Sequence, residues 1–247
     1  MKKVLLLAML AVVSACGGSG EGEGDVTIRV FAAASLTESF TELGKRFEEE
    51  HPGTQVEFNF GPSSGLAEQI ESGAPADVFA SASPGNMRTV VEGGHAKDAQ
   101  DFATNSMEIA VPADNPGRIH GLEDLAGDDV KVALCQEQVP CGQVAAKVLA
   151  NAGLAVEAAT EETDVKSVLT KVSLGEVDAG IVYVTDVLAA GDDVRGIEIA
   201  EDLNASTTYP IATLTHSEHT DHAGEFVDLV LSDEGVKVLQ DAGFGRP

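Results

Sequence analysis

The sequence predicts an α/β protein of two lobes, each a mostly parallel sheet flanked by helices, with a ligand cleft between them. Three observations predict it. From Val26 onward, strand-like apolar runs alternate with amphipathic helical segments, the order that builds parallel sheets. Near Thr104 that alternation restarts. The chain's 247 residues exceed one typical domain of about 150, and a hydrophobic fraction of 43% is enough to fill two cores.

The elements follow in order. Val26–Ala34 (VTIRVFAAA) reads as a buried strand. Leu36–His51 reads as a helix, with Leu36, Phe40, Leu43 and Phe47 at helical spacing. Val56–Phe60 is a strand, Ser64–Ser72 a helix, Asp77–Ala82 a strand and Pro84–Gly93 a helix. After the restart, Met107–Val111 and Val130–Leu134 are strands, and Gly142–Ala152 and Val165–Leu174 are helices. Ala179–Val184 is a strand apolar on both faces, Ile197–Ala200 a short strand, and Pro210–Thr215 strand-like. Ala223–Leu231 and Asp233–Asp241 close the chain as helices. The chain is expected to cross between lobes near 103–107 and 204–210. This puts 26–105 plus 206–247 in lobe one and 106–205 in lobe two. Two crossovers suit hinge closure over a ligand.

Charge and composition exclude several functions. Lys plus Arg number 15 against 41 Asp plus Glu, a formal net charge of −26. No basic patch is present for a nucleic-acid backbone, nor a basic amphipathic helix for anionic lipid. Aromatics are 4% and Trp is absent, so an aromatic cage for sugars or quaternary amines is not expected.

Residues 1–15 read as an export signal. Lys2 and Lys3 supply the positive start, and Val4–Val13 is an apolar run about half as long as the roughly 20 residues of a membrane-spanning helix. Val13-Ser14-Ala15-Cys16 resembles the lipobox of bacterial lipoproteins, which implies a lipid-modified Cys16; an ordinary cleaved signal is the alternative. Residues 16–25 (CGGSGEGEGD) then form a flexible tether. The folded part is expected outside the cytoplasm, anchored to the cell membrane. In that oxidising setting Cys135 and Cys141 are an even pair six positions apart. A disulfide is the favoured reading, two free buried thiols the other.

Four helix starts attract notice. Ser35-Leu36-Thr37-Glu38 follows the first strand and matches a capping box. Gly61-Pro62-Ser63-Ser64-Gly65 follows the second. Val139-Pro140-Cys141-Gly142 opens a third helix, and Thr163-Asp164-Val165-Lys166 a fourth, with Asp164 as N-cap. Helix starts at the C-terminal ends of parallel strands aim free N–H groups at a crevice, and such groups bind anions. Gly61–Gly65 also matches Gly-x-Ser-x-Gly, so an α/β serine hydrolase using Ser63, with Asp186 and one of His216, His219 or His222, is the enzymatic alternative. No His-Gly-Gly segment precedes Ser63 to supply an oxyanion loop. His216–His222 (HSEHTDH) holds metal-ligand residue types, but its spacing matches no usual zinc pattern, and no separate cation site is expected.

Several stretches, taken together in order, resemble the substrate-binding proteins of molybdate ABC importers: Phe31–Leu36 (FAAASL), Ser63–Ala67, Gly73–Phe79 (GAPADVF), Val139–Gly142, Asp164–Lys166, Gly180–Tyr183 (GIVY) and Gly243-Phe244. The resemblance spans the whole chain after the tether. It implies a type II periplasmic-binding-protein fold and a non-enzymatic role: capture of molybdate or tungstate for an importer's permease and ATPase subunits. It implies an oxyanion held by the hydroxyls of Ser35 and Ser63, the backbone N–H groups of Cys141 and Val165, and the phenol of Tyr183, with Ser64 a further candidate. Many relatives carry Ala where Cys141 stands, but a backbone donor does not depend on its side chain. Beyond that ligand no cofactor is expected, and the protein is expected to act as a monomer. A sulfate-type oxyanion binder and a purely structural surface lipoprotein remain the other non-enzymatic readings.

The ligand so implied is a dianion, yet the chain is strongly acidic. Surface charges beyond a Debye length of about 8 Å are screened, whereas each charge-assisted hydrogen bond in a closed cleft contributes roughly 1.5–3 kcal/mol. The local term is expected to win. Molybdate is fully deprotonated at neutral pH and needs donors only; hydrogen phosphate needs an acceptor, and none of the expected contacts is a carboxylate.

Overall fold

The computed structural model describes residues 26–247. The export signal, Cys16 and the tether lie outside the described residues. β1 (Val26–Ala33) passes through a 3-10 turn, Ala34–Leu36, into α1 (Thr37–Glu50); then come β2 (Thr54–Gly61), α2 (Ser63–Glu71), β3 (Val78–Ala80) and α3 (Pro84–Glu92). β4 (Gln100–Pro112) leads to β5 (Val132–Cys135), α4 (Pro140–Ala152), β6 (Ala158–Glu162), α5 (Val165–Ser173), β7 (Ala179–Tyr183), α6 (Val184–Ala190) and β8 (Val194–Glu198). β9 (Ser206–Thr213), α7 (Thr220–Leu231) and α8 (Asp233–Asp241) complete the chain.

The strands run β2-β1-β3-β9-β4-β7-β5-β6, with β8 also on β4. Each lobe is built on a parallel trio: β2-β1-β3 in one and β6-β5-β7 in the other. The sheets are more mixed than expected, because β9 and β4 insert antiparallel to their neighbours. β4 extends well before the expected Met107. Residues Gln100–Ser106 pair with β9, and from Met107 the same strand pairs with β7 and β8. One continuous strand therefore runs from one core into the other. The second passage, before β9, is tied to it by Asn204, whose side chain accepts from the Met107 N–H at 3.2 Å and donates to the Met107 carbonyl at 2.9 Å.

Two sets of apolar contacts match that division. Phe40, Leu43 and Phe47 of α1 pack with Val30, Val78, Tyr209 and Phe226. In the other core Met107, Ile109, Ile181 and Val182 meet Val144, Val148 and Val168 of the helices. Burying such side chains contributes about 1.5–3 kcal/mol each, which outweighs modest strand propensity in a segment like Ala179–Tyr183, where every residue is buried. Two elements are absent from the sequence reading because their patterns were weak. β6 (AATEE) is an edge strand with partly exposed, polar residues, and α6 begins directly where β7 ends, so the apolar run hides the change of period.

Candidate functional site

The five residues singled out from the sequence meet in one cleft. Ser35, Ser63, Cys141, Val165 and Tyr183 all line it, with Asp164 and Ala82 beside them. Ser64 does not line it. The topology explains the convergence: β1, β2, β5 and β6 are parallel strands whose C-terminal ends turn into helix starts, and β7 delivers Tyr183 at its own end. The cleft has a cavity volume of about 20 Å³. Pockets for organic ligands typically run from about 300 to 1,000 Å³, so this one has room only for a small ion. Larger hollows lie elsewhere; one is bordered by Glu108, Glu198 and Glu201, the wrong sign for an anion.

Lobe one contributes hydroxyls. Ser35 and Ser63 are 4% and 1% exposed. The capping-box expectation at Ser35 is corrected: α1 has Leu36 as its N-cap and no side-chain cap, and Ser35 Oγ lies 2.8 Å from the Tyr209 hydroxyl instead. The 3-10 turn displaces the start of the α-helix and leaves Ser35 facing the cleft. Ser63 is the first residue of α2, one position before the expected start, and its Oγ accepts from the Ala82 N–H at 2.9 Å.

Lobe two contributes N–H groups and a phenol. Cys141 and Val165 fall in the first turns of α4 and α5, where N–H groups have no intrahelical acceptor. Asp164 caps α5 as expected: its carboxylate accepts from the Ser167 N–H at 2.9 Å and the Ser167 hydroxyl at 3.0 Å, which occupies it away from a ligand. Cys135 and Cys141 form a disulfide, with Cα atoms 5.8 Å apart, closing the loop before α4. Gly142 is obligatory there, since a Cβ at that position would lie 1.9 Å from the Gln136 carbonyl oxygen.

Tyr183 carries the most telling observation. Its side chain is buried, yet its hydroxyl has no hydrogen-bond partner. The Tyr209 phenol lies beside it, with ring centroids 6.2 Å apart, and is also bonded to Ser35. A buried polar group without a partner costs about 1–3 kcal/mol. Burial, then Tyr209 and Asp186, push the Tyr183 phenol well above its ordinary range, so it stays protonated and can donate.

Positive charges stand behind the cleft, not in it: no Lys, Arg or His lines it among the described residues. Lys166, next to Val165, turns away and binds Glu38 of α1, both carboxylate oxygens at 2.8 Å. It also lies 3.2 Å from Asp186, whose other oxygen accepts from the Tyr183 N–H at 3.2 Å. Burial, opposed by Lys166, pushes the Asp186 carboxyl up to about 6. Glu38–Lys166 joins the two lobes, and Leu188 of α6 packs against Gly243 near the C-terminus, so the lobes are drawn together. Sequence reasoning missed Tyr209, Asn105 and the Lys166 ion pairs. One signal for Tyr209 was available: the chain has only two Tyr.

The hydrolase alternative fails on geometry. His216 and His219 border a different hollow, beside Arg29 and Asp77, and Asp186 is held by Lys166. Among the described residues no group of three or more His, Cys, Asp or Glu is placed to hold a metal ion.

Residues 28–245 match the profile of the bacterial extracellular solute-binding proteins. The molybdate-binding protein ModA of Mycobacterium tuberculosis is 38% identical over 98% of this chain and 97% of its own. The periplasmic molybdate-binding protein of Azotobacter vinelandii superposes with a TM-score of 0.79 at 20% identity, over 89% of this chain and 99% of that one. The sulfate-binding protein SubI of M. tuberculosis also gives 0.79, at 19% identity, over 89% and 86%. The architecture is the type II periplasmic-binding-protein fold, and the relatives that match in sequence are solute-binding proteins, not enzymes. The chain belongs to the bacterial extracellular solute-binding proteins, and among them to the ModA type.

Proposed function

We propose that this protein captures molybdate, and tungstate with it, between its two lobes and delivers it to the permease and ATPase of an ABC importer. The observation that carries the reading is the buried, unpartnered Tyr183 hydroxyl facing a cleft of neutral donors. The ligand contacts are the Ser35 and Ser63 hydroxyls, the Cys141 and Val165 N–H groups and the Tyr183 phenol. Lobe one is 26–105 plus 206–247 and lobe two is 106–205. Cys16 bears the lipid that holds a monomer at the outer face of the cell membrane, through the tether 16–25.

Fold alone does not choose between molybdate and sulfate, because both kinds of relative superpose equally well. The identity and coverage of the mycobacterial molybdate-binding protein favour the larger oxyanion. Calorimetric and thermal-shift titration with molybdate, tungstate, sulfate and phosphate tests this. Stabilisation is expected with the first two at micromolar concentration. A response to sulfate alone, or to none of the four, overturns it. An acylated N-terminal Cys in membrane-extracted protein, found by mass spectrometry, tests the anchor.

A further inference from the structure

We infer that Tyr209 is a positioning residue that fixes the direction of the Ser35 hydroxyl, making it a donor toward the cleft and a poor acceptor. The inference rests on the proposed oxyanion site. Tyr209 is fully buried on β9, at the passage between the lobes, and does not line the cleft. Its ring is packed among Phe102, Tyr183 and Phe244, with centroids 6.1, 6.2 and 5.4 Å away. Its oxygen bonds Ser35 Oγ at 2.8 Å and Asn105 Nδ2 at 3.5 Å, and the Tyr183 hydroxyl lies beside it as well.

Those neighbours fix the direction of the chain. Asn105 Oδ1 accepts from the Ser106 N–H, which identifies the oxygen end of the amide, and the nitrogen end also donates to Thr185 Oγ1 at 2.8 Å. An amide nitrogen only donates. The Tyr209 oxygen receives the Asn105 N–H, long as that bond is, and its own proton is assigned to Ser35 Oγ, its shorter contact. With one lone pair so occupied, Ser35 is free to direct its hydrogen at the cleft, and only its second lone pair is left to accept. Ser63 is set the same way by a different device, since the Ala82 N–H is also an obligate donor. Burial holds the Tyr209 phenol well above its ordinary range, so it keeps the proton it donates. Both serines thus offer hydrogens to an anion that brings none. An oxyanion still carrying a proton needs an acceptor, and neither hydroxyl is turned to provide one. Tyr209 is in this sense a specificity device held outside the ligand's reach.

Tyr209→Phe keeps the packed ring and frees Ser35 to rotate. Molybdate, sulfate and hydrogen phosphate are titrated at pH 8 against wild type, Tyr209→Phe, Ser35→Ala and the double variant. Tyr209→Phe is expected to weaken molybdate about 3- to 10-fold, with the molybdate-to-sulfate ratio kept within about 2-fold. The molybdate-to-phosphate ratio is expected to fall by about 10-fold or more. In the Ser35→Ala background the Tyr209 change is expected to move molybdate binding less than about 2-fold, because the group it orients is gone. Equal losses for all three anions in Tyr209→Phe mean a merely structural ring contact and overturn the inference. So does a loss that adds in full to that of Ser35→Ala, or no loss in Tyr209→Phe. Unchanged molybdate binding in Ser35→Ala overturns the site reading itself, a distinguishable failure. Asn105→Ala, which leaves the tyrosine in place, is expected to shift the phosphate ratio in the same direction by a smaller factor; no shift counts against the inference.

Discussion

Lobe one presents side-chain hydroxyls to the cleft, while lobe two presents backbone N–H groups and one phenol. The difference is physical. In lobe one each donor oxygen is also bonded within the protein: Ser35 to the Tyr209 hydroxyl, and Ser63 as acceptor from the Ala82 N–H. Removing either hydroxyl harms both ligand and fold. In lobe two the N–H groups of Cys141 and Val165 are leftovers of helix geometry, with no internal partner to lose. Donation does not depend on their side chains, and at Val165 the N–H can be removed without touching the disulfide that Cys141 carries. Behind lobe two's donors lies the only buried carboxylate of the ion-pair chain, Asp186, kept one layer from the anion.

The largest expected effect concerns that carboxylate. The folded protein holds the Asp186 proton up to about 6, whereas an unfolded chain releases it near the ordinary Asp value of about 3.9. Between those values the folded state binds the extra proton, so Asp186 contributes less stability as pH rises from about 4 to 6. The difference is about 3 kcal/mol across the window. Asp186→Asn removes this slope. Urea denaturation of the ligand-free protein at pH 4 and pH 7 is expected to show the variant gaining on wild type as pH rises. A constant difference at both values would mean that the carboxylate is not desolvated in the way its burial implies.

Next come the donors themselves. Val165 is the first residue of α5, and the preceding Asp164 is extended, with φ −153° and ψ 166°, so Pro fits at 165. Val165→Pro deletes one N–H and keeps an apolar side chain of similar size at a buried position. Molybdate binding is expected to weaken about 10- to 100-fold with a ligand-free melting temperature no lower than that of Val165→Ala, which controls for lost packing and is expected to bind close to wild type. Ser63→Ala is expected to cost slightly less in binding, about 5- to 50-fold, but also to lower the ligand-free stability by about 1–2 kcal/mol, because the Ala82 N–H loses its acceptor. If Val165→Pro and Ser63→Ala destabilise the free protein alike, the contrast between the lobes is wrong.

Much of this site was legible in the sequence because helix starts are local signals. Gly-Pro-Ser-Ser-Gly, Val-Pro-Cys-Gly and Thr-Asp-Val-Lys each announce a turn and a first helical residue within a few positions. The parallel order of strands then forces their N–H groups into one crevice. The parts that were not legible depend on long-range pairing. Ser35 looked like a cap because its local pattern fits one; only β9, 174 positions away, brings Tyr209 to claim its oxygen. The antiparallel insertion of β4 and β9 likewise leaves no local trace. A strand's direction relative to its neighbour is set by the crossover, not by its own residues. Lys166 reads as an ordinary exposed lysine until α1 is placed opposite it.

That lysine gives the smallest expected effect and bears on closure. Glu38 and Lys166 are the charged pair joining the faces of α1 and α5 across the cleft, and Glu38 is half exposed. Exposed pairs contribute about 0.2–1 kcal/mol, so Glu38→Gln is expected to weaken molybdate less than about 5-fold. The loss is expected in the dissociation rate more than the association rate, since the pair forms only when the lobes meet. Salt should erase it: wild type and variant are expected to converge at 1 M, where the Debye length is about 3 Å. Stopped-flow measurement at low and high salt checks this. An equal effect at both would place Glu38 in the binding cleft rather than at its edge, and lobe one would then hold a charge where the donor pattern has only neutral groups.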